Sequence, residues 1–445
     1  MLFLLFADKI LRTLKFNLPL KAKKDTLAIM LLTLLAFVFV LAILVLAHEF
    51  GHFVVARKNG IKVDEFGFGF PPRFIGIQRV VVGVEEDIRE KIVIEAEKEV
   101  DNISLTIKPK TKWKIVWGNK EGLPGNSSTI YSLNWIPLGG FVKIKGEDGE
   151  ESTDPDSFIN KKIWQRTFVL CAGVLMNIVL AAVLLGVGYM IGLPQSVDNL
   201  GYGAKVSDAK IEIMSVLSGF PAKDAGLQAG DEIAGLDSLS NLKVADLQNY
   251  LSQKEGQKVF FTIKRNNEMF QKEIIPAKLK ETSRGGIGVV LLETAVVSYP
   301  WYLAIWHGFI DSVFFAWEVV KAFALLIANI FRGAAGVTEN LAGPVGIAVL
   351  TGKAAKLGLG YLLQFMALLS INLAVLNILP FPALDGGRVL FLLIEKVRGR
   401  PVARKMENAF HTLGFAVLML LVLFVTIKDV GNFKWIFVNL WHKIF

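Results

Sequence analysis

The chain has 445 residues, 53% hydrophobic and only 20% charged, with a mean hydropathy of +0.48. Soluble domains carry about a quarter charged residues, so this composition excludes a wholly cytosolic globular protein and points to membrane integration. The formal charge of +9 suits basic cytoplasmic loops rather than nucleic-acid binding, and the single cysteine, Cys171, excludes an internal disulfide or a Cys-rich metal site.

In chain order, residues 1–25 mix Leu, Phe and Ile with Lys9, Arg12, Lys15, Lys21, Lys23 and Lys24, the pattern of an amphipathic arm at a membrane interface. No small-residue cleavage site follows, so the arm is not read as a cleaved signal peptide. Residues 26–58 are predicted to form the first transmembrane helix. Thr26 to Ala47 carries no charge and is long enough to cross ~30 Å of hydrocarbon. This run leads straight into His48-Glu49-Phe50-Gly51-His52. Residues 59–166 alternate Val and Ile with Gly-Pro punctuation and read as β-hairpins and loops, with a charged insertion at about 77–128 expected to be an added cytoplasmic β-element.

A second uncharged span is expected at 167–194, ended by Pro194, and residues 203–295 provide enough polar chain for one compact domain with a helix at 244–253. The stretch 300–332 is apolar but interrupted by His307, Asp311, Glu318 and Lys321. Spans at 358–379 and 411–427 follow, and the basic loop between them, with Lys396, Arg398, Arg400, Arg404 and Lys405, should face the cytoplasm.

The His-x-x-x-His spacing on a helix puts His48 and His52 on one face, one turn apart, where both can bind the same zinc, and Glu49 falls beside them as a general base. Ionisable groups at the end of an uncharged span are costly unless paired or coordinated, which favours a functional centre over a metal-free juxtamembrane cluster. Two histidines leave a catalytic zinc one protein ligand short. His307, His411 and His442 have no supporting pattern and read as packing or interfacial residues. The better candidate is Asp385, in the motif at 383–387 that ends an apolar run. Pro380 and Pro382 must break the helix there and free backbone groups at membrane depth. Asn377 and Asn372, in the same run, also need partners.

The sequence here resembles the site-2 protease family of intramembrane zinc metalloproteases, and within it the bacterial RseP-like group. The resemblance rests on His48-Glu-Phe-Gly-His52 and on Asn377-x-x-Pro-x-Pro-x-Leu-Asp-Gly-Gly. Further matches are Ser132-Leu-Asn-Trp-Ile-Pro-Leu-Gly-Gly-Phe-Val-Lys143, similar to the family's membrane-reentrant β-loop, Trp164-Gln-Arg166 leading into Ala172-Gly-Val-Leu-Met-Asn177, and Leu341-Ala-Gly-Pro-Val-Gly-Ile347. Val174 departs from the proline that many relatives carry. The resemblance implies hydrolysis of peptide bonds in or at the edge of a substrate's transmembrane helix. Zn2+ would be held by His48, His52 and Asp385, with Glu49 as base and Asn377 and Asn372 binding substrate. The β-segment around Ile136 to Lys145 would offer an edge for strand addition. Ser218-Gly-Phe-Pro-Ala-Lys-Asp-Ala-Gly-Leu-Gln-Ala-Gly-Asp-Glu-Ile233 looks like the core of a PDZ domain, with Gly285 to Val289, Gly288 included, as the nest for a peptide C-terminus.

The expected fold is thus a polytopic α-helical membrane protein of about four transmembrane helices, with a membrane-associated β-rich loop region and one inserted PDZ-like α+β domain. Its expected place is the bacterial cytoplasmic membrane, with single-span membrane proteins and the lipid bilayer as partners. For Asp385 to meet His52, the helix from 358 must start on the side where the second span ends. The 300–332 stretch is therefore expected to lie along the outer interface without crossing, leaving both termini outside. The competing reading is a non-catalytic adaptor that binds partners through the PDZ-like domain.

Overall fold

The computed structural model describes residues 23–81, 111–119, 128–147, 153–197, 200–217, 219–228, 230–240, 243–265, 268–278, 285–333 and 342–432. The N-terminal arm up to residue 22, most of the 77–128 insertion, Ser218 and the start of the Leu341 motif lie outside the described residues. The chain divides into two compact units, one of Val38–Asn177 with Leu373–Leu418, the other of Met1–Phe37, Ile178–Asn372 and Met419–Phe445.

In the first unit, helix α1 (Lys23–Lys58) ends where Gly60 adopts φ +65° and the Ile61 amide returns to the Ala56 carbonyl. A left-handed residue after the last turn is the usual glycine stop. The strands β1 (Val63–Val81), β2 (Thr111–Trp117) and β3 (Ile130–Ile144) then form an antiparallel sheet in the order β2-β1-β3. Ile77 pairs with Ile115 on one side and Tyr131 on the other, so directly opposed residues share a face. That face exposes Ile77, Trp113, Ile115, Trp117 and Leu133, while Gln78, Val80, Val116 and Ser132 on the other are buried. Phe53, Ala56, Ile61, Ile144, Phe158, Val169 and Leu392 close a small core beside the sheet.

In the second unit, helix α2 (Ile163–Ile191) delivers the chain to a mainly antiparallel domain. Its strands are β4 (Leu193–Ser196), β5 (Lys205–Val216), β6 (Glu232–Leu236), β7 (Leu239–Ser240), β8 (Val259–Arg265), β9 (Glu268–Ile274), β10 (Ala277–Lys278), β11 (Gly285–Gly286) and β12 (Val289–Ser298). Two helices, α3 (Pro221–Asp224) and α4 (Val244–Gln253), accompany them. The main sheet runs β4-β12-β5-β6-β8-β9, and its core joins Ile211, Ile213, Leu236, Phe261 and Ile263 to Leu247 and Leu251 of α4. The domain is wider than 203–295, because β4 pairs with β12 from Thr294 to Val297 and the sheet therefore starts at Leu193 and ends at Ser298. Pro194, expected to close a span, lies in that edge strand instead.

The remaining helices are α5 (Trp301–Phe331), α6 (Pro344–Leu357), α7 (Leu359–Ile378), α8 (Asp385–Arg398) and α9 (Arg404–Asn432). The buried Asp429 of α9 caps α6, its Oδ2 accepting the Gly343 and Gly346 amides at 2.9 and 2.7 Å. Among the described residues five helices, not four, are long and apolar enough to cross a membrane: Leu31–Lys58, Ile163–Ile191, Trp301–Phe331, Leu359–Ile378 and Arg404–Gly431. The addition is α5, where Gly308 packs against Ala182 and Gly186 of α2. Two of the charges that argued for an interfacial position have partners, Asp311 accepting from the Tyr189 hydroxyl and Glu318 pairing with Lys321.

Candidate metal centre

Two elements of the first unit, α1 and α8, converge near the C-terminal end of α1. His48 and His52 follow one another by a turn on α1, and their Nε2 atoms lie 3.2 Å apart. Asp385 opens α8 after the break forced by Pro380 and Pro382, and its Oδ2 lies 3.0 Å from His48 Nε2 and 3.4 Å from His52 Nε2. One ligand atom from each falls within 4.8 Å of the other two. Both histidines are buried.

The surroundings prepare these atoms for a cation. His52 Nδ1 donates to the Val169 carbonyl at 2.8 Å, which leaves the Nε2 lone pair facing the cluster. The Asn177 side-chain amide lies against the same cluster, its Nδ2 3.2 Å from His48 Nδ1, and so fixes the orientation of that ring. Asp385 Oδ2 is buried without a hydrogen-bond donor in proper geometry, an orphaned carboxylate oxygen that a metal would satisfy. Gly173 of α2 makes the room: a Cβ there would stand 2.4 Å from His52 Nε2 and 2.6 Å from His48 Cε1. The donor set of two imidazoles and a carboxylate suits zinc with a position left open.

Glu49, half-buried on α1, is close enough to interact electrostatically with His52, His48 and Asp385. Asn377, near the end of α7, brings its amide to 3.4 Å from His48 Nε2. Asn372 donates to the Leu368 carbonyl one turn earlier in its own helix, at 2.7 Å. Two ion pairs hold α8: Arg388 with Glu147 in the turn after β3, and Glu395 with Arg166 at the start of α2. The edge strand β3 passes close to α1 just before His48, where glycines are needed, since a Cβ at Gly139 would lie 2.7 Å from Val45 and one at Gly140 3.1 Å from Leu46.

In the PDZ-like domain Gly288 has φ +76°, and a Cβ on it would overlap Phe220 at 2.2 Å, so glycine there makes room for that ring. From Val289 to Leu292 the strand β12 pairs with β5, while β4 covers it only from Thr294. The metal centre also uses residues to which the sequence reading assigned no role: Asn177, the Val169 carbonyl and Gly173. Asn177 left a signal as a polar residue within an uncharged span, and Gly173 lies with it in the Ala172 to Asn177 match.

Two helical histidines and an aspartate that opens another helix, with a glutamate beside the histidines in sequence, form a cluster that could hold a metal, in a chain with five helices among the described residues that are long and apolar enough to cross a membrane. The chain belongs to peptidase family M50, whose family model matches residues 36–83 and 118–421. It is 34% identical over 388 residues to a putative zinc metalloprotease, CPE1693, of Clostridium perfringens, covering 87% of this chain and 95% of that one. It is 29% identical over 442 residues to the regulator of sigma-W protease RasP of Bacillus subtilis, covering 89% and 98%. The PDZ domain of the SdrC-like protein Lmo2051 of Listeria monocytogenes, 28% identical, covers 20% of this chain and 92% of its own length with a TM-score of 0.18. The protein is a zinc metalloprotease of the site-2 type.

Proposed function

We propose that this protease cuts peptide bonds within or at the edge of transmembrane segments of single-span proteins in the bacterial cytoplasmic membrane, as a step of regulated proteolysis. The observation that carries the reading is the convergence of His48, His52 and Asp385 on one point, with the two histidines and Glu49 on a helix long and apolar enough to cross a membrane. The name of the Bacillus subtilis relative, a regulator of sigma-W protease, supports an anti-σ factor as substrate; remnant signal peptides are the second class.

His48, His52 and Asp385 would hold the zinc, which when bound would supply Lewis acidity and lower the pKa of water. Glu49 takes the proton of the attacking water and returns it to the leaving amide nitrogen. Asn377 directs its amide at the carbonyl oxygen, and Asn372 holds the extended chain. The edge of β3 receives the unwound substrate as an added strand, which satisfies the backbone groups that unwinding exposes in a medium without water.

The PDZ-like domain lies outside the cytoplasm and screens substrates by size, and its open edge along Val289 to Leu292, with Gly288 at the head of the strand, suits a peptide C-terminus. The test is processing of a co-expressed single-span reporter by wild type and Glu49→Gln. Only the wild type should cut, and equal processing would return the protein to the adaptor class. Removing residues 203–295 should admit substrates with untrimmed outer domains; unchanged selectivity would reject the filter.

A further inference from the structure

His411, on α9, has no ligand role in the centre described above, yet it touches the segment that presents the third ligand. Its Nδ1 accepts the backbone amide of Ala383 at 2.9 Å. Ala383 has φ +69°, one of three non-glycine residues with positive φ among the described residues, and it lies two positions before Asp385. An alanine adopts the left-handed region only against its own Cβ, so something outside the loop must hold it there. The loop's own bonds do not reach that amide: Phe381 donates to Leu379, Leu384 to Phe381 and Gly387 to Leu384.

The contact is built on both sides. One turn beyond His411, Gly414 lets α9 lie against Pro382, where a Cβ would stand 1.9 Å from the proline Cβ. A Cβ on Gly387 would come within 3.3 Å of His411 Cε1, so the ring also fills the space over the start of α8. Phe391 and Phe410 rings flank the imidazole at 5.7 and 6.0 Å between centroids. The ring is therefore fixed in place, with its acceptor nitrogen aimed at one amide.

We propose that His411 is a positioning residue of the metal centre: by accepting the Ala383 amide it holds the 380–384 loop in the conformation that brings the Asp385 carboxylate to His48 and His52. This rests on the zinc reading of the site, and it assigns His411 to metal retention, not to substrate contact. A hydrogen-bond acceptor is what the position requires, so an asparagine, whose Oδ1 can take the place of Nδ1, should serve where a leucine of similar bulk should not.

The test uses full-length protein in detergent, loaded with zinc, and follows metal release to a chelator together with cleavage of a single-span substrate. His411→Leu should release zinc at least about 10-fold faster than wild type, the scale of lost outer-shell support, with KM unchanged and kcat reduced. His411→Asn should stay within about 3-fold of wild type. Ala383→Gly placed in the His411→Leu background should recover much of the retention, because glycine adopts that backbone conformation without help. The metal-free wild type and His411→Leu should unfold at the same temperature. Wild-type retention by His411→Leu, release by His411→Asn as fast as by His411→Leu, no recovery with Ala383→Gly, or a lower unfolding temperature of metal-free His411→Leu would each overturn the proposal. A wild type that binds no zinc would instead fail the metal reading on which it stands.

Discussion

The metal-binding unit and the PDZ-like domain solve opposite burial problems. In the PDZ-like domain Ile211, Ile213, Phe261 and Ile263 point inward and the polar residues of the same strands point out, as the hydrophobic effect demands of a fold in water. In the metal unit the arrangement is inverted: Phe168, Leu175, Leu413 and Phe415 are exposed on the helices, while His48, His52 and Asn177 are buried. Where lipid covers the outside, apolar burial gives little direction, and the inner contacts must be specified by polar partners and close backbone approach. Each unit should consequently fail at a different kind of residue.

The sharpest break is expected at Asp385. Removing a first ligand should cost more than the roughly 10- to 100-fold loss typical of outer-shell changes, so Asp385→Ala should lose zinc and activity together, measured by metal analysis of the purified protein. Retained zinc at wild-type content would show that the third ligand lies elsewhere. The PDZ-like domain in this variant should unfold as in wild type.

Gly173→Ala tests the same centre without touching a ligand. The added methyl falls 2.4 Å from His52 Nε2, so the imidazoles must move, and zinc affinity should drop by roughly 10-fold or more. Competition with a chromogenic chelator would measure it, and an unchanged affinity would mean that α2 shifts freely and does not define the site.

In the PDZ-like domain the matching experiment is Asp231→Ala. The Asp231 carboxylate is buried, meets Arg265 through two bonds at 2.5 and 2.7 Å and accepts the Gln228 amide at 2.8 Å. Its loss should destabilise that domain by about 2–3 kcal/mol, seen as an earlier thermal transition, with zinc content unaltered. A simultaneous loss of zinc would break the division of labour between the units.

The smallest effect concerns α5, which is long enough to cross yet is proposed to lie at the outer interface. With Cys171→Ser as background, a cysteine at the exposed Arg332 should react with a reagent confined to the outside. Labelling only from the cytoplasm would make α5 a crossing, and the parity that brings Asp385 beside His52 would then need a further one.

How much was legible in the sequence differs along the chain. The uncharged runs, the histidine spacing and the helix break at Pro380 and Pro382 are local features, and local features fix local structure: a helix, a shared face, an interruption. They single out His48, Glu49, His52 and Asp385 as candidates, and the fold brings His48, His52 and Asp385 together. The strand Leu193–Ser196 was not legible, because four residues ending a span become a strand only when Thr294 to Val297 pair with them from far along the chain. Nor was the partnership of Asp311, which looked like an unpaired charge until Tyr189 of another helix reached it.

The sequence by itself determined the membrane class, the order of the helices and the zinc-ligand candidates, because hydropathy and spacing act along the chain. Only the tertiary structure decided what surrounds those candidates: the Val169 carbonyl and Asn177 beside the imidazoles, the bare Gly173 that leaves them room, and the His411 bond to the loop before Asp385. Each is a contact between segments separated by tens to hundreds of residues, and neither a carbonyl nor the absence of a side chain acquires a role until folding brings its partner within reach.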